Sequence, residues 1–271
     1  MTITVLIDNL SKSDLACEWG LAIHVQYNGH SILLDTGASG QFAKNAAALQ
    51  IDLKAVEYGV LSHAHYDHSD GMEAFFAQNQ NAKFYLRAST EENCYSYEGQ
   101  GKYRYIGIQR GLLETYCDRI VYAEGDYLLL PGAFLIPHKT PDMAQMGKQA
   151  HLCIRKGDMW LDDDFSHEQS LVMETEQGLV IFNSCSHGGA DVIISEVKRT
   201  FPGQEIYAFI GGFHLFEASE ETVRQFAHRL QKTNVRKIVT GHCTGEQSFA
   251  ILKEVLGDAV VQLYAGMTLD L

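Results

Sequence analysis

The chain has 271 residues, 46% hydrophobic and 20% charged, enough apolar material for a sizeable core and too much for a disordered chain. Its 34 acidic and 21 basic side chains give a formal charge of −13, which argues against wrapping nucleic acid or lying on an anionic membrane. No apolar run approaches the roughly 18–20 residues of a membrane span.

The start, Met1 to Asn9, lacks a basic leader and reads as a strand, so no signal peptide is expected. Thr2–Ile7, Leu21–Tyr27 and Ser31–Leu34 predict strands, with Asn28-Gly29 as the hairpin signal between the last two. Gln41–Gln50 predicts a helix, Val56–Leu61 a strand ending in Ser62-His63, Asp70–Asn79 a helix and Lys83–Arg87 a strand. From Ser89 the pattern changes: seven of the 13 tyrosines lie between Tyr95 and Tyr127, interleaved with Lys102, Arg104, Arg110 and Arg119. A strand near Ala133–Ile136 and a polar stretch to Asp164 follow. Ser170–Glu174 and Leu179–Asn183 predict a hairpin, Ala190–Thr200 and Glu220–Thr233 helices, and Glu205–Ile210 and Lys237–Thr240 strands. Ser248–Leu256 then predicts a helix and Val260–Tyr264 a last strand. No repeat of 20–50 residues is present, and several connections are hairpin-short, so two packed sheets with helices outside fit better than a doubly wound parallel sheet.

The chemistry concentrates in Leu61-Ser62-His63-Ala64-His65-Tyr66-Asp67-His68-Ser69, which places four potential metal ligands within six positions after an apolar strand. His63 and His65 are two apart and face the same way in extended backbone, while Asp67 and His68 can face a second ion. Mixed imidazole and carboxylate donors suit Zn²⁺, Fe or Mn²⁺. Six cysteines, at 17, 94, 117, 153, 185 and 243, form no CxxC pair, which predicts reduced thiols and a cytoplasmic setting. No G-x-S-x-G elbow, P-loop or G-x-G-x-x-G fingerprint is present, and Gly99-Gln100-Gly101 lacks the third glycine and the following helix.

His63-x-His65-x-Asp67-His68 resembles the signature of the metallo-β-lactamase-fold hydrolases, and Asp35-Thr36-Gly37 resembles that superfamily's strand-end aspartate. Cys185-Ser186-His187-Gly188-Gly189, Gly211-Gly212-Phe213-His214-Leu215 and His242-Cys243-Thr244-Gly245 together resemble the subgroup named for 7,8-dihydropterin-6-methyl-4-(β-D-ribofuranosyl)-aminobenzene-5′-phosphate synthase, across about residues 3–268. The resemblance implies an α/β fold, a four-layer αβ/βα sandwich in one domain over 1–271, leaving an irregular insertion at about 89–165. It implies two divalent ions, Zn first and Mn or Fe as alternatives, held by His63, His65, Asp67, His68, His187 and His242. His167 competes with His187 for the third place on the first ion. Cys185 stands where a bridging aspartate is usual and is a further candidate ligand. Asp35 would orient a ligand histidine, and Asp67 and His214 would act in catalysis.

A metal pair with open positions lowers the pKa of water from 15.7 to about 7, and the hydroxide attacks a carbonyl or phosphorus centre. The expectation is therefore a metal-dependent hydrolase of a small phosphorylated or ester substrate, a pterin-related one being a candidate. The alternatives are a metal-binding sensor with little turnover and a di-iron redox protein of the same fold. No nucleic-acid or membrane partner is expected, and a homodimer stays open. The substrate-binding residues are unassigned, although the tyrosine-rich stretch with its arginines could stack a ring and pair a phosphate.

Overall fold

Near-continuous apolar runs too short for helices mark strands covered on both faces. The computed structural model describes residues 1–271. β1 (Thr2–Ile7), β2 (Ala22–Tyr27) and β3 (His30–Leu34) pair antiparallel. Asn28 and Gly29 join the last two with φ of 50° and 83°, the two positive values a type I′ hairpin requires. α1 (Gln41–Ala48) leads to β4 (Tyr58–Val60), and α2 (Tyr66–Ser69) and α3 (Met72–Gln78) lead to β5 (Lys83–Arg87). Both strands run parallel to β3. The middle of the chain holds β6 (Cys94–Tyr97), β7 (Tyr103–Tyr105), α4 (Leu112–Thr115), β8 (Ile120–Ala123), β9 (Tyr127–Leu130), β10 (Ala133–Pro137), α5 (Ala144–Gln149), β11 (Leu152–Lys156) and β12 (Met159–Asp162). The last part holds β13 (Gln169–Thr175), β14 (Gly178–Phe182), α6 (Ala190–Thr200), β15 (Ile206–Ile210), α7 (Glu220–Gln231), β16 (Lys237–Thr240), α8 (Glu246–Leu256), β17 (Val260–Gln262) and β18 (Thr268–Asp270).

Two seven-stranded sheets result, in the orders β18-β1-β2-β3-β4-β5-β8 and β17-β16-β15-β14-β13-β10-β9. Their inner faces share one core, in which Ile23, Val25, Ile32 and Val60 meet Leu171, Met173, Val180, Phe182 and Ile210. Helices cover the outer faces. Phe42, Phe75 and Phe76 pack over the first sheet, and Ile193, Val223, Phe226, Leu230 and Leu252 over the second. α7 shows why such a segment is helical: Val223, Phe226, Ala227 and Leu230 bury one stripe at helical spacing, and the Ser219 hydroxyl accepts from the Thr222 amide at 3.3 Å as an N-cap. The layers are therefore αβ/βα.

Residues 89–165 are not irregular. β8, β9 and β10 complete the two large sheets, and β12-β11-β6-β7 form a separate four-stranded sheet. Tyr95 pairs with Tyr105 and Tyr97 with Tyr103 across β6 and β7, and Tyr103 stacks on Trp160 with centroids 3.6 Å apart and planes 5° apart. Much of the tyrosine signal is thus cross-strand packing. The sheets bring the C-terminal ends of β1, β3, β4, β10, β14, β15 and β16 and the N-terminal end of β13 to one rim, because β10 and β13 are antiparallel.

Candidate metal centre

Asp35, fully buried at the end of β3 with φ of 58°, organises this rim. Its Oδ1 accepts from the Ser62 amide at 2.7 Å. Its Oδ2 accepts from the hydroxyls of Ser62 and Ser184, at 2.7 and 2.6 Å, and from His68 Nδ1 at 2.8 Å. Because the Ser62 proton goes to Asp35, its oxygen is left to accept from His63 Nδ1 at 2.8 Å. Glu168 Oε2 accepts from His187 Nδ1, and Asn9 Oδ1 accepts from His242 Nδ1 at 3.0 Å. In His63, His187 and His242 the proton therefore stays on Nδ1, which leaves Nε2 a bare lone pair.

The Nε2 atoms of His63, His65, His187 and His242 are buried without a hydrogen-bond partner. Such atoms are costly in an interior unless something accepts their lone pairs. The ligand atoms of His63, His65 and His187 lie within 4.8 Å of one another, and so do those of Asp67, His68 and His242. His63, His68 and Cys185 make an overlapping set, with Cys185 Sγ 3.3 Å from His68 Nε2. Imidazole, carboxylate and thiol donors converging on lone-pair-rich space fit divalent cations. Burial and the neighbouring rings push His63 and His65 far below the usual imidazole range. Burial would lower His68 too, yet Asp67 and Asp35 raise it to about 10. Burial would raise Asp67, but His68 and His242 hold it well below the usual carboxylate range.

His167 is placed differently. Its Nδ1 accepts from the Ala64 amide at 3.2 Å, so its Nε2 carries the proton, which it directs to Asp163 Oδ2 at 3.1 Å with Cys94 Sγ at 3.6 Å. His167, Asp163 and Cys94 form a group with His65, not with His63 and His187. His214 joins none of these groups. Its ring centroid is 4.7 Å from that of His187, and its Nδ1 is buried without a partner. The glycines before it serve close packing, since a Cβ on Gly212 would lie 2.5 Å from Cys243 Sγ and 2.8 Å from the Ser184 carbonyl.

Reading the sequence alone missed Asn9, Ser62 and Ser184 as tethers and Glu168 as the partner of His187. An acidic residue at the mouth of an apolar strand, as in Glu168-Gln169-Ser170-Leu171, was the available signal for the last. It also missed Trp19 and Phe216. These are 40% and 42% exposed, their centroids are 5.1 Å apart, and they stand 5.3 Å from His242 and His214 respectively.

The sequence pattern of the metallo-beta-lactamase superfamily matches residues 20–201, which contain every one of these groups except Asn9, Trp19, Gly212, His214, Phe216, His242 and Cys243. The chain is 29% identical over 258 residues to the 7,8-dihydropterin-6-methyl-4-(beta-D-ribofuranosyl)-aminobenzene-5'-phosphate synthase of Methanocaldococcus jannaschii, across 90% of this chain and 86% of that one. It is similar to the crystal structure of a metal-dependent hydrolase of the beta-lactamase superfamily, with a TM-score of 0.84 and 28% identity over 100% of this chain and 99% of the other. A diphosphatase of the PhnP family shares the fold at a TM-score of 0.56 and 14% identity, over 100% and 97% of the two chains. The chain belongs to the metallo-beta-lactamase superfamily.

Proposed function

We propose that the protein is a cytoplasmic metal-dependent hydrolase of a small phosphorylated or ester substrate. In this reading His63, His65 and His187 hold one divalent ion and Asp67, His68 and His242 a second, with zinc the expected metal. The observation that carries it is the set of buried, unpartnered Nε2 atoms whose opposite nitrogens are tethered. Cys185, against His68, is a further donor that favours zinc.

Ions in these places supply Lewis acidity, which brings water towards a pKa of about 7 and offsets charge that develops on the substrate. The residues do the rest. Asp67 stays ionised beside His68 and His242 and can orient a water by accepting its hydrogen bond. His214, with a free Nδ1 next to His187, is placed to give a proton to the leaving group. Trp19 and Phe216 wall the mouth with apolar surface, which suits a planar group such as a pterin and keeps water from the rim. Six unpaired cysteines suit the cytoplasm. No helix is long and apolar enough to cross a membrane.

The test joins elemental analysis to hydrolysis of bis(p-nitrophenyl) phosphate, p-nitrophenyl phosphate and p-nitrophenyl acetate, before and after chelation. Two ions per chain, with turnover that chelation abolishes and zinc restores, are expected. Metal without turnover of any substrate would support a sensor, and iron with oxygen or peroxide consumption a redox protein. A second reading, condensation at the same site, draws on the synthase name of the archaeal relative. It predicts binding of a pterin without its hydrolysis.

A further inference from the structure

Behind His187 lies a line of buried charged groups that the proposed reaction does not use. Glu168, fully buried just before β13, accepts from His187 Nδ1 with Oε2 and faces His138 Nε2 at 2.8 Å with Oε1. His138, one residue beyond β10, turns Nδ1 to Glu196 Oε2 at 3.3 Å. Glu196 sits on α6 with 2% exposure, although most of its neighbours on that face are apolar. Its other oxygen accepts from the Lys139 and Thr140 amides at 2.9 and 2.8 Å and from the Thr140 hydroxyl at 2.5 Å. A glutamate buried so deeply is costly unless its charge and lone pairs are answered. Here they are answered in full, and the bonds fix the turn after β10.

Both ring nitrogens of His138 face carboxylates, so both donate and the ring is a buried cation between two anions. The packing is close: a Cβ on Gly188, next to His187, would come within 2.8 Å of His138 Cε1. Residue 188 must therefore be small for the His138 ring to reach Glu168. The line thus runs from an outer helix, through the ends of β10 and β13, to the loop after β14.

We propose that His138 and Glu196 are positioning residues of the metal centre. They hold Glu168 where it accepts the hydrogen bond from His187 Nδ1–H, and so keep His187 Nε2 turned to His63 and His65. This rests on the reading of His187 as a ligand. With His138 removed, Glu168 loses the partner of one oxygen and can swing away from His187, which frees the ring to rotate or to change tautomer. The centre would then lose affinity on the His63, His65 and His187 side and not on the Asp67, His68 and His242 side, which Asp35 and Asn9 tether independently.

His138 also lines a cleft of about 380 Å³, shared with Arg87, Ser89, Gly125 and Ser166, which offers a route for chemical rescue. The experiment compares wild type with His138→Ala and Glu196→Gln by ring ¹⁵N resonances of His187 in metal-free protein and by zinc affinity under chelator competition. Wild type should show His187 protonated at Nδ1 alone. His138→Ala should mix the tautomers and weaken one of two zinc sites by about 10–100-fold, and free imidazole should restore both readings. Glu196→Gln, which preserves shape, should give a smaller change in the same direction and carries the test should His138→Ala fail to fold. Unchanged His187 resonances in both folded variants would overturn the inference, as would equal weakening of both zinc sites without rescue. A tautomer response in a protein that hydrolyses nothing would support this inference and remove the hydrolase reading alone.

Discussion

His187 and His167 are 6% and 4% exposed, and each ring touches a carboxylate, yet only His187 leaves its Nε2 without a hydrogen-bond partner. In His187 the carboxylate accepts from Nδ1–H, and Nε2 is bare among other bare nitrogens. In His167 a backbone amide occupies Nδ1, so Nε2 carries a proton and closes on Asp163. The density of histidines does not separate the two regions. What separates them is the group on the far nitrogen, since an acceptor there leaves Nε2 bare and a donor there puts the proton on Nε2.

Substitutions on either side test this contrast. On the open side, His65→Ala and His242→Ala should each lower metal occupancy and turnover by more than ~100-fold, beyond the range of outer positions, in a protein that still folds. Full metal stoichiometry by elemental analysis in both variants would refute the assignment. His214→Ala should lower kcat by about 100-fold with occupancy unchanged, the lower range for loss of a general acid. Asp35→Ala removes the acceptor of His68 and of the Ser62 hydroxyl and should weaken zinc binding about 10–100-fold in chelator competition. Cys185→Ser should weaken zinc by about 10-fold as a soft donor becomes a hard one, whereas unchanged affinity would mark the thiol as packing.

On the closed side the effects are smaller and concern stability. Burial alone would raise Asp163, but the His167 ring and the Phe165 amide bring it from 3.8 to about 2. A carboxylate depressed on folding contributes stability above its unfolded pKa, and that contribution drains away as pH falls through the folded value. The shift is worth about 2 kcal/mol, lost between about pH 4 and 2. Asp163→Asn should flatten the acid limb of the unfolding curve in that window and leave zinc affinity as in wild type. A loss of zinc would move the cluster with His167 into the metal centre.

Much of the fold outside residues 89–165 is legible in the sequence because its strands are bounded by turn residues and its helices are amphipathic. Lys83–Arg87, Ala190–Thr200 and Lys237–Thr240 begin and end where the pattern places them. The four-stranded sheet is not legible. β6 and β7 are three to four residues of tyrosine mixed with serine and arginine, and β11 pairs with β6 only through a distant register, Cys153 with Tyr95. In the centre, His63, His65, Asp67 and His68 announce themselves by spacing. The choice between His187 and His167 depends on Glu168 and on the Ala64 amide, and no spacing rule encodes which nitrogen each will meet. His138 and Glu196 are single polar residues in separate segments, and only the packing of β10 against α6 shows that they belong together.

In the proposed centre, tethered Nδ1 atoms on His63, His68, His187 and His242 decide where cations sit. Crystals grown with zinc, with anomalous differences collected on both sides of the zinc edge, test it most directly. Two peaks are expected, one among His63, His65 and His187 and one among Asp67, His68 and His242. A zinc peak between His167, Cys94 and Asp163, or no peak beside His187, would contradict it.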